Sequence, residues 1–289
     1  MAKRKIAGLR IVITGASQGI GRAIALKAYQ QGGKVLAAAR SASLLEELKK
    51  EAGANPAGAM ETVVADVTES EGRKAMLDES IRLYGGADVL VNNAGVGATG
   101  HFAEGNQDRL RKIMEVNYFG LIETTRVFIP EFKKRPGSAI VNISSIAGKR
   151  GIPARGDYSA SKFAVQGFSD AIRAELAKDG IDVLVVCPGL TQTNFSKNMI
   201  EQKAKLQMDH LRGMTAEEVA RHTLRTIETG RDEISLTFQG KLLAFVARFL
   251  PGLADRVSKK RVRELFEEEM VERQIRKREV LMQSGKAGP

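Results

Sequence analysis

With 289 residues, 43% of them hydrophobic and 27% charged, the chain has ordinary globular composition, which excludes a disordered protein and suits one α/β domain with or without an appendage. A single cysteine, Cys187, excludes an internal disulfide and a multi-cysteine metal site and fits a reducing, cytoplasmic setting. The net charge of +11 invites a nucleic-acid reading, yet neither zinc-finger spacing nor an aromatic-basic RNA signature accompanies it, so no nucleic-acid partner is expected.

Met1-Ala2-Lys3-Arg4-Lys5 is basic, but the apolar run behind it is too short for a signal peptide. No stretch approaches the ~20 apolar residues of a membrane span. Residues 9–14, 34–39, 62–65, 89–92, 139–144, 183–186 and 233–238 read as strands. Several, such as Val89-Leu90-Val91 and Val183-Leu184-Val185-Val186, are continuously apolar, as strands covered on both faces are. Capping-box patterns at Ser43–Glu46, Thr68–Glu71 and Thr215–Glu218 predict helix starts between them. Alternation of this kind predicts a Rossmann-type, doubly wound parallel sheet of about seven strands flanked by helices, with ligands beyond the strands' carboxyl ends. One domain over residues 1–240 carries all of it, and residues 241–289 form a basic helical extension.

In chain order, the first strand runs into Thr14-Gly15-Ala16-Ser17-Gln18-Gly19-Ile20-Gly21. Glycines there let the backbone approach a pyrophosphate at a helix N-terminus; the plain alternative is a tight strand-to-helix turn. The second strand ends in Ala39-Arg40-Ser41, the third in Asp66-Val67 and the fourth in Asn92-Asn93-Ala94-Gly95. Val116-Asn117-Tyr118 follows, then Ser144-Ser145 at the end of the fifth strand. Thirteen residues on, Tyr158 and Lys162 stand at i and i+4 on one helix face. A free phenol titrates near pH 10; an ammonium ~4 Å away, worth about 4 kcal/mol at an effective dielectric of ~20, would bring it toward neutrality. Ser145 can hydrogen-bond a substrate oxygen as negative charge develops there. The sixth strand leads into Pro188-Gly189-Leu190-Thr191-Gln192-Thr193. The three histidines are scattered, and no metal is expected.

These motifs, in this order over residues 9–238, resemble the short-chain dehydrogenase/reductase family. The resemblance implies an NADP(H)- or NAD(H)-dependent enzyme that transfers a hydride directly between nicotinamide and a carbonyl carbon. It gives Ser145, Tyr158 and Lys162 the chemistry and makes Asn117 the fourth member, holding Lys162 through a water. It places Gly15, Ser17, Gly19, Ile20 and Gly21 on the pyrophosphate, Asp66 and Val67 on the adenine, and Asn93, Ala94 and Gly95 beside the ribose. Tyr158 and Lys162 also meet the nicotinamide side, which Pro188, Gly189, Thr191 and Thr193 border. Asp66 as a turn residue and Asn117 as a partner for backbone groups are the structural alternatives. NAD-selective relatives carry an acid where Ala39 stands; Arg40 beside it suits a 2′-phosphate, so NADP(H) is the expected cofactor.

The chain departs from the family at its end. From Gly240 onward Lys and Arg outnumber Asp and Glu 12 to 7, and no Val-Asp-Gly-Gly-like tail appears. An apolar decapeptide at 241–250 and a charged helical segment to about 282 resemble the family's divergent branch, some of whose members are dimeric or membrane-associated. A homodimer is the expected use; peripheral membrane contact through 241–282 and packing on the chain's own domain are the others. A basic peripheral-membrane or scaffold protein is the rival function. Loops 101–106, 147–157 and 195–214 should set specificity, and Phe195, Met199, Ile200, Leu206 and Met208 suit an apolar or lipid-like carbonyl or alcohol substrate.

Overall fold

The computed structural model describes residues 3–202 and 213–265, with a few isolated positions beyond. Seven parallel strands form the sheet: β1 (Arg10–Thr14), β2 (Lys34–Ala39), β3 (Ala59–Val64), β4 (Val89–Asn92), β5 (Ala139–Ile143), β6 (Asp182–Cys187) and β7 (Glu233–Ser235). Their order across the sheet is β7-β6-β5-β4-β1-β2-β3. The chain winds outward from β1 through β2 to β3, then crosses back to β4 and winds the other way. A crevice therefore opens between the ends of β1 and β4, where helices leave on opposite faces.

Helices α1 (Gly19–Gln30), α2 (Ala42–Ala52), α3 (Ser70–Tyr84), α4 (Gln107–Met114), α5 (Gly120–Lys133), α6 (Gly156–Leu176) and α7 (Ala216–Thr229) accompany the sheet. One core joins α1, α2 and α7 to the sheet through Ile24, Leu45, Leu48, Val219 and Ile227. The other uses Met76, Phe128, Phe132 and Ile172, from α3, α5 and α6. Covered on both faces, β1, β4 and β5 are buried almost throughout, the physical reason for their unbroken apolar runs.

Three local expectations need correction. The third strand begins at Ala59 rather than residue 62, because pairing with Lys34–Ala39 carries it past its β-branched residues. The seventh stops at Ser235: Thr237 turns to φ +66°, and α8 (Phe238–Phe249) begins at the next residue. The caps at Ser43 and Thr68 are displaced. Ser41 caps α2 by accepting from the Leu44 N–H, and α3 starts after Glu69 without a side-chain cap. Thr215 and Glu218 do form the reciprocal box on α7.

The chain divides into two compact units, residues 1–244 and 245–289. The second contains the end of α8 and α9 (Pro251–Leu265), with Phe245, Phe249, Leu253 and Val257 exposed. No helix among the described residues is long and apolar enough to cross a membrane. Most of the predicted charged segment beyond residue 265 lies outside the described residues.

Candidate active site

The glycine-rich turn is held by β4. Thr14 Oγ1 accepts from the N–H groups of Asn93 (3.0 Å) and Ala94 (3.1 Å), and Asn93 Nδ2 donates to the carbonyls of Thr14 and Gly15. Gly21 packs so tightly that a Cβ there would lie 2.4 Å from both Asn93 Nδ2 and Gly15 O. Gly19, at φ +54°, faces Thr193 from the segment after β6. Gly15, Ser17, Gly19, Ile20, Gly21, Asn93, Ala94 and Thr193 thus converge on one end of the sheet. The first turn of α1 has neither an acidic residue nor a side-chain cap. The N–H groups of that turn fit a nucleotide pyrophosphate.

On the far side of β1, Arg40 and Asp66 close the ends of β2 and β3. Asp66 Oδ1 accepts from the backbone N–H and hydroxyl of Thr68, both at 2.9 Å, which is the turn role. Its other oxygen is 3.8 Å from the guanidinium of exposed Arg40, too long for a hydrogen bond. Val67 is buried against Gly120.

At the other end of the crevice, α6 presents its first turns to the ends of β5 and β6. Lys162 is only 4% exposed, and its Nζ donates to Ile143 O at 2.9 Å while lying 5.8 Å from the Tyr158 ring centroid. Ser145 Oγ accepts from the Ala147 N–H at 3.1 Å, and its hydroxyl is near enough to Tyr158 to act on the phenol. Ser144 is structural by contrast: it accepts from Gln166 Nε2 at 3.0 Å. The thirteen-residue spacing therefore selects the serine that meets Tyr158.

The electrostatics correct one expectation. Burial raises the Tyr158 phenol above its ordinary value, although the Ser145 bond and the nearby Arg155 charge pull the other way. The Lys162 ammonium donates to Ile143 O rather than to the phenol. Burial also lowers Lys162, to about 8. Burial pushes the Cys187 thiol up to about 11, so it is an inert strand-end residue.

Asn117 is fully buried in a π-helical turn, Glu115–Phe119. Its Oδ1 accepts from Val96 N–H (2.8 Å), and its Nδ2 donates to Val96 O (2.9 Å) and Ser161 Oγ (3.0 Å). The side chain satisfies backbone groups of the loop after β4 and locks that loop to α6. Gly95 lies between Asn117 and Lys162. After β6, Pro188 O accepts from Ile146 N–H at 2.9 Å, and Thr191 bonds Gly189 O at 3.2 Å.

Sequence reasoning missed two charged or polar assemblies. Arg109, 5% exposed, donates to Asp157 at 2.6 Å and to Glu201 at 2.9 Å, tying α4 to the residue before Tyr158 and to the segment after β6. Beneath the sheet ends, Asn92 bonds Thr125 and Asn142, and Asn142 bonds Ser169. Of the residues expected to line the substrate site, Phe195 has its ring centre 5.7 Å from that of Tyr158. Leu206 and Met208 lie outside the described residues.

The sequence pattern of the family described as short chain dehydrogenase matches residues 10–204. The chain is 34% identical over 261 residues to dehydrogenase/reductase SDR family member 7B of Mus musculus, covering 88% of this chain and 81% of that protein. Among solved structures, a short chain dehydrogenase/reductase from Burkholderia phymatum in complex with NAD superposes with a TM-score of 0.77. It is 25% identical, over 86% of this chain and 96% of that one. An alcohol dehydrogenase from Thermococcus sibiricus complexed with 5-hydroxy-NADP gives 0.69 at 26% identity, over 78% and 94%.

Proposed function

Because the chain belongs to the short-chain dehydrogenase/reductase family, we propose that it is an NADP(H)-dependent oxidoreductase that interconverts a ketone or aldehyde and its alcohol. The observation that carries this reading is the meeting of three side chains where β5 ends and α6 begins: Tyr158 near Ser145, with the enclosed Lys162 ammonium 5.8 Å from the centre of the phenol ring.

When bound, the nicotinamide supplies the hydride to the carbonyl carbon, or takes it back. Tyr158 and Ser145 grip the substrate oxygen, and Tyr158 gives it a proton. An un-ionised phenol at neutral pH is the form a proton donor needs. Lys162, fixed through Ile143 O, steadies the phenol and meets the nicotinamide ribose. Asn117 holds the loop carrying Gly95 against α6. The α1 turn, Gly15, Ser17, Gly19, Ile20 and Gly21, receives the pyrophosphate. Asp66 and Val67 would take the adenine, Asn93, Ala94 and Gly95 the ribose, and Pro188, Gly189, Thr191 and Thr193 the carboxamide.

The choice of NADP(H) rests on Ala39-Arg40: no carboxylate of β2 repels a 2′-phosphate, and an exposed guanidinium is there to clamp it. The tail, with its exposed Phe245, Phe249, Leu253 and Val257, is read as a homodimer contact, with an anionic bilayer surface as the second reading on account of its cations. An NADPH-oxidation screen over aldehydes, ketosteroids, 3-oxoacyl thioesters and long-chain keto-lipids tests the function. Turnover of at least one class is expected; none with either nicotinamide cofactor would overturn it.

A further inference from the structure

Arg155 is the residue just before α6, with non-helical backbone (φ −133°, ψ 31°), three positions ahead of Tyr158. The loop that delivers it is fixed on both sides. Ser159 Oγ accepts from the Ile152 N–H (3.1 Å), Ala154 O accepts from the Gly100 N–H (2.9 Å), and Ala154 itself is held at φ +58°. Only 9% of Arg155 is exposed.

A guanidinium this enclosed ordinarily has a carboxylate or several carbonyls around it, since a buried unpaired charge is costly. Among the described residues Arg155 has no ion pair, and its Nε is enclosed without an acceptor. The nearest carboxylate in sequence, Asp157, is already bound to Arg109 at 2.6 Å. Burial accordingly lowers the Arg155 pKa, and the only opposing influence is Tyr158, which places cation and phenol within each other's field. A free, desolvated cation beside a proton donor is a seat for an anion. The pyrophosphate seat is elsewhere, at the start of α1.

We propose that Arg155 is a substrate-binding residue that pairs with an anionic group, carboxylate or phosphate, of an oxo substrate whose carbonyl lies at Tyr158. Phe195, whose ring centre lies 5.7 Å from that of Tyr158 at a tilt of 58°, supplies an apolar wall for the remainder. The substrate class is thus an oxo acid or oxo phosphate with an apolar body, and this rests on the carbonyl-reductase reading above.

The test uses the full chain saturated with NADPH, so that the nucleotide site is filled. Wild type, Arg155→Gln and Arg155→Lys are compared by thermal unfolding with inorganic phosphate or acetate against chloride at equal ionic strength. They are then compared by kcat/KM on aryl-substituted 2-oxo and 4-oxo acids and their carboxamides. Phosphate or acetate should raise the wild-type midpoint and leave Arg155→Gln unmoved. Wild type should prefer acid to amide by about 10-fold or more, the size of a charge-assisted pair. Arg155→Gln should lose that preference, and Arg155→Lys should keep part of it. Arg155→Gln should not lower the midpoint measured in chloride, since no internal partner is lost. An acid-to-amide ratio that the substitution leaves unchanged would overturn the proposal. So would weaker NADPH binding in Arg155→Gln, which would assign the residue to the cofactor. If no oxo compound is turned over, the carbonyl-reductase reading fails, and the anion-dependent midpoint alone decides whether Arg155 is an anion seat.

Discussion

Replacing Lys162 by Met should abolish turnover and yet stabilise the fold at neutral pH. The ammonium is 4% exposed, and burial lowers its pKa from 10.5 to about 8. Each pKa unit is worth about 1.4 kcal/mol, so keeping the ammonium charged in the fold at pH 7 costs about 3 kcal/mol. Methionine fills a similar volume without charge but forfeits the 2.9 Å bond to Ile143 O, worth about 1.5 kcal/mol. A net gain of about 1–2 kcal/mol remains. The folded pKa lies below the unfolded one, so the wild-type penalty is complete below about pH 8 and fades as pH rises toward 10.5. The advantage of Lys162→Met should therefore shrink and reverse across that window. Urea unfolding of both proteins at pH 7 and pH 10, without added nucleotide, reads the difference. A variant that is less stable at pH 7 by an amount independent of pH would refute the electrostatic account of this lysine.

Arg109→Met leaves Asp157 enclosed without its cation and should cost about 3–5 kcal/mol in urea unfolding; a loss under 1 kcal/mol would show that the triad is not a structural clamp. Arg40→Ala should weaken NADPH binding by about 1.5–3 kcal/mol and leave NADH nearly untouched in calorimetric titration, and equal wild-type affinities for the two cofactors would sink the NADP(H) assignment. Truncation after Gly240 should yield a monomer by light scattering with cofactor affinity retained, or else abolish binding to anionic liposomes; an unchanged oligomeric state with no lipid binding by either form would leave the tail to its own domain.

Much of the fold was legible because buried parallel strands write themselves as continuous apolar runs, and turns need glycine where backbone must meet backbone. Gly15, Gly21 and the Asn93 that packs on them are visible for that reason. Strand ends were less so: Ala59–Glu61 are in β3 because β2 offers them hydrogen bonds, which no local propensity announces. Tyr158 and Lys162 could be paired by their spacing, but the ammonium's preference for Ile143 O depends on how α6 lies over β5. The clamp of Arg109, Asp157 and Glu201 joins three distant segments, and isolated charges in a sequence look like solvated ones. Arg155 was hidden in the same way. Its significance lies in burial and in a missing partner, neither of which a sequence displays.

The proposed carbonyl reduction stands or falls on Tyr158 as its proton donor. Tyr158→Phe deletes the hydroxyl and keeps the ring that packs on Phe195, so NADPH affinity should hold while kcat on a good substrate falls by ~100-fold or more. Retention of most of the wild-type kcat by Tyr158→Phe would contradict it, since another group would then be supplying the proton.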